Sequence, residues 1–350
     1  MNRRNFIKLS AVAAMSMFLG DLKMVEAKTF SRKIDFHAHA ILPSYVEGLK
    51  KLKIDAQAEE GFPLPKWSIE NHLKFMADAG IDFSVLSMPT PHIYNGAENE
   101  KISIEVAREI NEDLATLCKK YPDKFGFVAV LPMPSVEGSI SEIKYATEKL
   151  GALGVKVASN SDGVYLGDEI LNPIFEEIDK RKSLVILHPS PARKLPREKV
   201  VTGKVMALFE YPADTTRAIL NLLANGTLEK FSNIKLVVPH CGSFLPYMKQ
   251  RAGAMFQMLA SMQMMPPADI SAGLKNLYFD LAGDPMPEEM DILLKITDVQ
   301  HLIYGSDFPY VLAPILLKKK QALDSELANR NWLEKIYTEN AKILFGRQFL

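Results

Sequence analysis

The strongest constraint on the fold is an alternation that runs along the chain from Lys33 onward: short runs rich in β-branched residues recur between longer stretches of helical period. The runs are "KIDFH" from Lys33, "IDFSVLSMP" from Ile81, "FGFVAVLPM" from Phe125, "GVKVASN" from Gly154, "LVILHPS" from Leu184, "IKLVVPH" from Ile234, "LYFDLAG" from Leu277 and "LIYGSDFP" from Leu302. Between them, "IEVAREINEDLATLCKKY", ending at Tyr121, and "PEEMDILLKIT", ending at Thr297, place apolar residues at helical spacing. Strands alternating with helices imply parallel strands joined by crossover helices. Eight such units within 350 residues predict an α/β fold, a closed (β/α)8 TIM barrel, for which roughly 250 residues is the typical core. An open doubly wound sheet is the alternative.

Three connections exceed what a link needs: residues 41–66, 90–98 and 191–213, after the first, second and fifth runs. All follow strand C-termini, the end at which such barrels carry active sites, and segments of this length serve function or stay disordered.

The amino terminus stands apart from this pattern. "MNRRNFIKLS" is basic, "AVAAMSMFLG" is uncharged and apolar, and "VEA" at Val25 to Ala27 offers a small-residue cleavage site. Arg3 and Arg4 followed by Phe6, Ile7 and Lys8 look like a twin-arginine export signal, and the run from Leu9 to Gly20 is too short for a membrane-spanning helix. The expected organisation is an export signal over residues 1–27 and one barrel domain over 28–350, giving a periplasmic protein without stable membrane anchoring. An ordinary secretory signal or an uncleaved anchor are the alternatives, and the protein stays cytoplasmic if the signal is unused.

Acidic and basic residues balance at 42 each, which argues against a nucleic-acid partner or attraction to anionic membranes. A small-molecule partner is expected. Cys118 and Cys241 are too few for a disulfide framework; two free thiols are expected, with a single bridge as the alternative.

The chemistry concentrates at the ends of four runs. His37 and His39 share a strand face by parity, His188 ends the fifth run, His240 the sixth and Asp307 the eighth. Imidazoles and a carboxylate converging on one barrel rim suit zinc or a similar divalent ion. Asp35 shares the parity of both first-run histidines and is a candidate to accept a hydrogen bond from a ligand imidazole. His92, after the second run, is placed to enter the pocket. His72 and His301 lie away from strand C-termini and read as structural. Asp214 in "PADTTR" reads as a helix N-cap. Met-rich "AMFQMLASMQMM", from Ala254, reads as adaptable packing under a loop or in a subunit contact.

In this order, "DFHAH", "LHP", "PHCG" and "YGSDFP" resemble the amidohydrolase superfamily. "GFPLPKWSIENHLKFMADAGID", from Gly61, and Phe209 to Met248 are similar to its branch of aminocarboxymuconate-semialdehyde and 6-methylsalicylate decarboxylases. The resemblance implies a metal-dependent carboxy-lyase with one divalent ion, zinc or else manganese, and no organic cofactor. It makes His37, His39, His188 and Asp307 the metal ligands and His240 a proton-handling group, so that Asp307 and His240 are the catalytic pair.

Some members of the superfamily carboxylate a fourth-strand lysine to bridge two metals. Lys156 permits that, but as an ammonium it would pair with Asp35 or a substrate carboxylate. Relatives often hold substrate with an arginine from the loop after the first strand. That loop here carries Lys50, Lys51 and Lys53 but no arginine, leaving Arg193, Arg197 and Arg217 as substitutes. The expected substrate is a small aromatic or dienoic carboxylic acid, and relatives make a homodimer an expectation. The alternatives are a hydrolase of lactones, esters or amides on the same scaffold, and an exported metal-binding protein without turnover.

Overall fold

A computed structural model describes residues 32–192 and 205–345. The expected export signal lies outside the described residues. All eight runs form strands: β1 (Ile34–His39), β2 (Phe83–Ser87), β3 (Phe125–Val130), β4 (Gly154–Ala158), β5 (Leu184–His188), β6 (Lys235–Val238), β7 (Tyr278–Asp280) and β8 (Leu302–Ile303). They pair in chain order, every neighbour parallel. Past β8 the chain closes the ring onto β1: Phe36 N donates to Tyr304 O at 2.9 Å and His39 N to Phe308 O at 2.8 Å, with a parallel bridge between Ala38 and Phe308. The sheet is therefore a barrel and not an open doubly wound layer.

The strands are buried on both faces, as a parallel barrel wrapped in helices requires. Along β5, Leu184 and Ile186 share parity with His188 and belong to an inner apolar cluster with Phe83, Val85, Val128, Val237 and Ile303. Val185 and Leu187 face the outer cluster that packs against the helices. This inner layer floors the barrel below its histidine-bearing rim.

The segment 41–66 is structured. Pro43, with its preset φ, opens α1 (Pro43–Lys51). The Asp55 carboxylate caps α2 (Ala56–Glu60) by accepting from Gln57 N and Ala58 N, and Gly61 ends it at φ 82°, where a side chain would be strained. In α3 (Glu100–Lys120), Ser103, Val106, Ala107, Ile110, Asn111 and Leu114 form one buried face. Two further helices matter to the site: α4 (Glu210–Ala224) and α5 (Leu245–Ser261). The helix expected over "PEEMDILLKIT" forms but ends early: the chain is helical through Glu289 and Met290–Leu293 and gives way to turns before Thr297, while Met286, extended (φ −114°, ψ 146°), lies just ahead of the run. The methionines of α5 and beyond are also unlike a packed core. Met255, Met258, Met262 and Met264 are exposed, which rules out packing beneath a described loop. Both cysteines are free thiols, Cys241 buried and Cys118 partly so. Among the described residues no helix is long and apolar enough to cross a membrane.

Candidate active site

His37, His39, His188 and Asp307 each bring one ligand atom to a common point, and these atoms all lie within 4.8 Å of one another. β1 supplies the first two, β5 the third, and the turn after β8 the carboxylate. Asp307 sits at φ 60° and His240 at φ 55°; left-handed backbone of this kind is uncommon outside glycine and clusters at functional sites.

The second nitrogen of each histidine sets which atom faces inward. His37 Nδ1 meets Asp280 Oδ2 at 2.8 Å. His188 Nδ1 meets the Pro189 carbonyl at 3.2 Å and, because a carbonyl only accepts, must carry its proton there. His39 Nδ1 lies 2.9 Å from Ser87 Oγ, whose own proton is directed at Ala38 O (3.3 Å), so Ser87 accepts from the ring. In all three the Nε2 lone pair is left for the centre. His37 Nε2 is buried without a hydrogen-bond partner, a costly condition that a bound cation would relieve. Three imidazole nitrogens and a carboxylate oxygen, steadied by outer hydrogen bonds, fit a single divalent ion.

Electrostatics follow the same layout. Burial pulls the His39 ring down to about 4, and burial, with Lys156 nearby, holds His188 well below the usual histidine range. For His37 burial also disfavours the cation, but Asp280 and Asp307 outweigh it and raise the ring to about 9. Burial opposes ionisation of Asp307, yet the imidazoles of His240, His39 and His37 around it hold it well below the usual carboxylate range.

His37 and His39 are closed off, with side chains 1% and 0% exposed, whereas Asp307 and His240 are 19% and 21% exposed and so form the open face. His240 Nε2 stands 3.7 Å from Asp307 Oδ2. Both line a cavity of about 700 Å3 together with His188, Phe62, Tyr211, Tyr310 and Phe244. The aromatic walls suit a flat ligand, with the polar groups at one end.

Several expectations are corrected. Asp35 does not receive a ligand imidazole; it accepts from the backbone N–H groups of His37 (3.1 Å) and Ser306 (3.0 Å). A register shift between Asp35 and Ala38 bulges β1, so strand parity does not carry across it, and His37 Nδ1 turns to Asp280 instead. Lys156 pairs with neither Asp35 nor the cavity. It lies opposite Ile186 while Ala158 lies opposite His188, one inward layer below the ligands, and its Nζ donates to Pro89 O at 3.1 Å. Burial lowers its ammonium to about 7, with Glu60 opposing.

His92 is buried against Met133 O (3.3 Å) and lines a different, polar cavity beside Asn160 and Ser190. Arg217 does not reach the site; it pairs with Asp214 at 2.7 Å and with Tyr165 OH at 2.8 Å. Asp214 is no N-cap, since α4 begins at Glu210 and buries Asp214 within its length. Arg193 and Arg197 lie outside the described residues. His72 is structural, its Nδ1 accepting from Trp67 Nε1 at 3.1 Å, and His301 meets Asp298 on the surface (3.2 Å).

Asp280, Ser87, Glu60 and Tyr211 were not singled out by sequence reasoning. A signal existed for Asp280, a carboxylate ending the "YFD" run just as His188 ends its own. Glu60 had none: α2 buries it against Tyr211 OH, and burial raises its carboxyl to about 7.

The amidohydrolase family matches residues 34–347. Decarboxylase yanB of Aspergillus niger is 30% identical over 326 residues, covering 90% of this chain and 88% of that protein. The 6-methylsalicylic acid decarboxylase of Penicillium expansum is 27% identical, covering 79% of this chain and 85% of its own. Among solved structures, 5-carboxyvanillate decarboxylase of Novosphingobium aromaticivorans, with bound manganese, superposes at a TM-score of 0.78 with 20% identity, covering 90% of this chain and 97% of that one. With a match that spans nearly all of the barrel, this chain belongs to the amidohydrolase family.

Proposed function

We propose that the protein is a metal-dependent decarboxylase of a small aromatic or dienoic carboxylic acid bearing an oxygen or nitrogen next to the carboxylate. The observation that carries this is the open pair of Asp307 and His240 beside a four-ligand cluster at the end of an aromatic-walled cavity. His37, His39 and His188 would hold the ion through Nε2 and Asp307 through its carboxylate. A divalent ion there supplies Lewis acidity toward the substrate carboxylate and its neighbouring heteroatom. Phe62, Tyr211 and Tyr310 orient the ring and limit water, while His240 and Asp307 form the pair through which a proton reaches the carbon that loses carbon dioxide.

The donor set suits zinc or manganese, and the manganese in 5-carboxyvanillate decarboxylase favours testing both. Lys156, a layer below the ligands, gives no support to a carbamate-bridged pair of metals, so hydrolysis is the weaker reading. The experiment is to load the purified protein with each metal, count ions per chain, and follow carbon dioxide release from hydroxybenzoates beside cleavage of esters and lactones. One ion per chain with release from at least one acid is expected; lactone cleavage without release from any acid would overturn the assignment.

The reading also includes export through the twin-arginine signal, supported by Arg3 and Arg4; precursor retained in the cytoplasm when both become lysine is the expected result. Self-association as a homodimer is supported by the exposed Met258, Met262 and Met264, and light scattering would report the mass.

A further inference from the structure

The carboxylate of Asp214 is buried within α4, makes no contact with the metal ligands, and is surrounded by donors from the hairpin that follows β4 and from its own helix. Asn160 Nδ2 reaches Asp214 Oδ2 at 2.9 Å and Arg217 Nη1 reaches Oδ1 at 2.7 Å, while Ser159 Oγ and Tyr165 OH also donate to it. Ser159 and Asn160 in turn grip the chain just past His188. Ser159 N donates to His188 O at 3.0 Å. Ser190 N donates to Ser159 Oγ at 2.8 Å. Asn160 Nδ2 also approaches Ser190 O (3.0 Å) and Pro191 O (3.2 Å).

A hydroxyl has one proton, and a carboxylate outcompetes a carbonyl for it. Asp214 therefore draws the Ser159 proton toward itself and turns the oxygen lone pairs to Ser190 N–H. Between His188 and Ser190 lies Pro189, whose carbonyl accepts from His188 Nδ1 and so sets the tautomer that leaves Nε2 free.

We infer that Asp214 is a positioning residue for His188, acting through Ser159 and Asn160 on the segment His188–Pro191. The inference rests on the metal-centre reading above. An asparagine at 214 would keep the shape but present an amide donor to a ring of donors, and the Ser159 hydroxyl proton would be free to turn to the Ser190 carbonyl, 3.2 Å away.

The test compares the whole protein with Asp214→Asn and Ser159→Ala, titrating Mn2+ against a chelator of known affinity and measuring Tm with and without the ion. Ser159→Ala keeps the test open if Asp214→Asn does not fold. A roughly ten- to hundredfold loss of Mn2+ affinity, the usual effect of disturbing a ligand's support, is expected, together with a smaller rise of Tm on binding. A residue that merely braced the fold would lower both Tm values in parallel and leave affinity alone, and that result would overturn the inference. Absence of Mn2+ binding by the unaltered protein would remove the centre and this inference with it, whereas tight binding by all three proteins removes the inference alone.

Discussion

His37 depends on a carboxylate more than two hundred residues away in the chain. Its Nδ1 is fixed by Asp280, which also accepts from the His240 backbone N–H at 2.9 Å and so ties the two histidines together. Replacing Asp280→Asn should weaken metal binding about ten- to hundredfold and slow turnover with it; unchanged affinity in a chelator competition would contradict the role. The ligands and the proton carrier should part under mutation. His188→Ala removes an Nε2 from a four-atom set and should leave the centre empty, measured as metal per chain. His240→Asn should keep the ion but lose turnover by at least about a hundredfold, the scale of a positioned proton donor, and full activity in either variant would contradict the assignment. At this scale the sequence was informative where a residue's own strand carried it to the rim. Asp35 and Asp214 misled because a bulge and a helix start, each set by neighbouring backbone, moved them out of the roles their local context suggested.

Among the elements, β1 and the turn after β8 are the pair that make the site. Gly305 packs so closely that a Cβ there would lie 2.7 Å from His37 Cβ and 3.2 Å from Asp280 Cβ. Gly305→Ala should therefore push His37 away from Asp280 and lower metal content, with far-ultraviolet circular dichroism unchanged; full metal content in the variant would show that the strand can yield. The glycine of "YGSDFP" is required by the close approach of segments from opposite ends of the chain. The strands themselves were legible because a parallel barrel buries both faces and writes each one as an apolar run. The early end of the helix at Leu293 was not, since apolar residues at helical spacing continue to Ile296 past the point where it stops.

For the molecule as a whole, burial of neutral histidines predicts a direction for acid sensitivity. His72 and His92 lie outside the ligand set, and burial lowers each from 6.5 to about 3. Below pH 6.5 the unfolded chain binds protons that the native state refuses, so their contribution is complete above about 6.5 and is lost as the pH falls toward 3. Each can remove up to about 1.4 kcal/mol per pH unit. Urea unfolding at pH 7, 6, 5 and 4.5 should show falling stability, and a flat profile would contradict the neutral burial of both rings.

By itself the sequence determined the barrel and the rim residues, because hydrophobic period and chain order follow from local patterning that no distant contact needs to supply. Which nitrogen each histidine turns inward, what supports it, and which polar residues fall below or beside the centre were decided only by tertiary structure. Those properties belong to hydrogen bonds between strands and loops that closure of the ring brings together, and neither composition nor spacing records them.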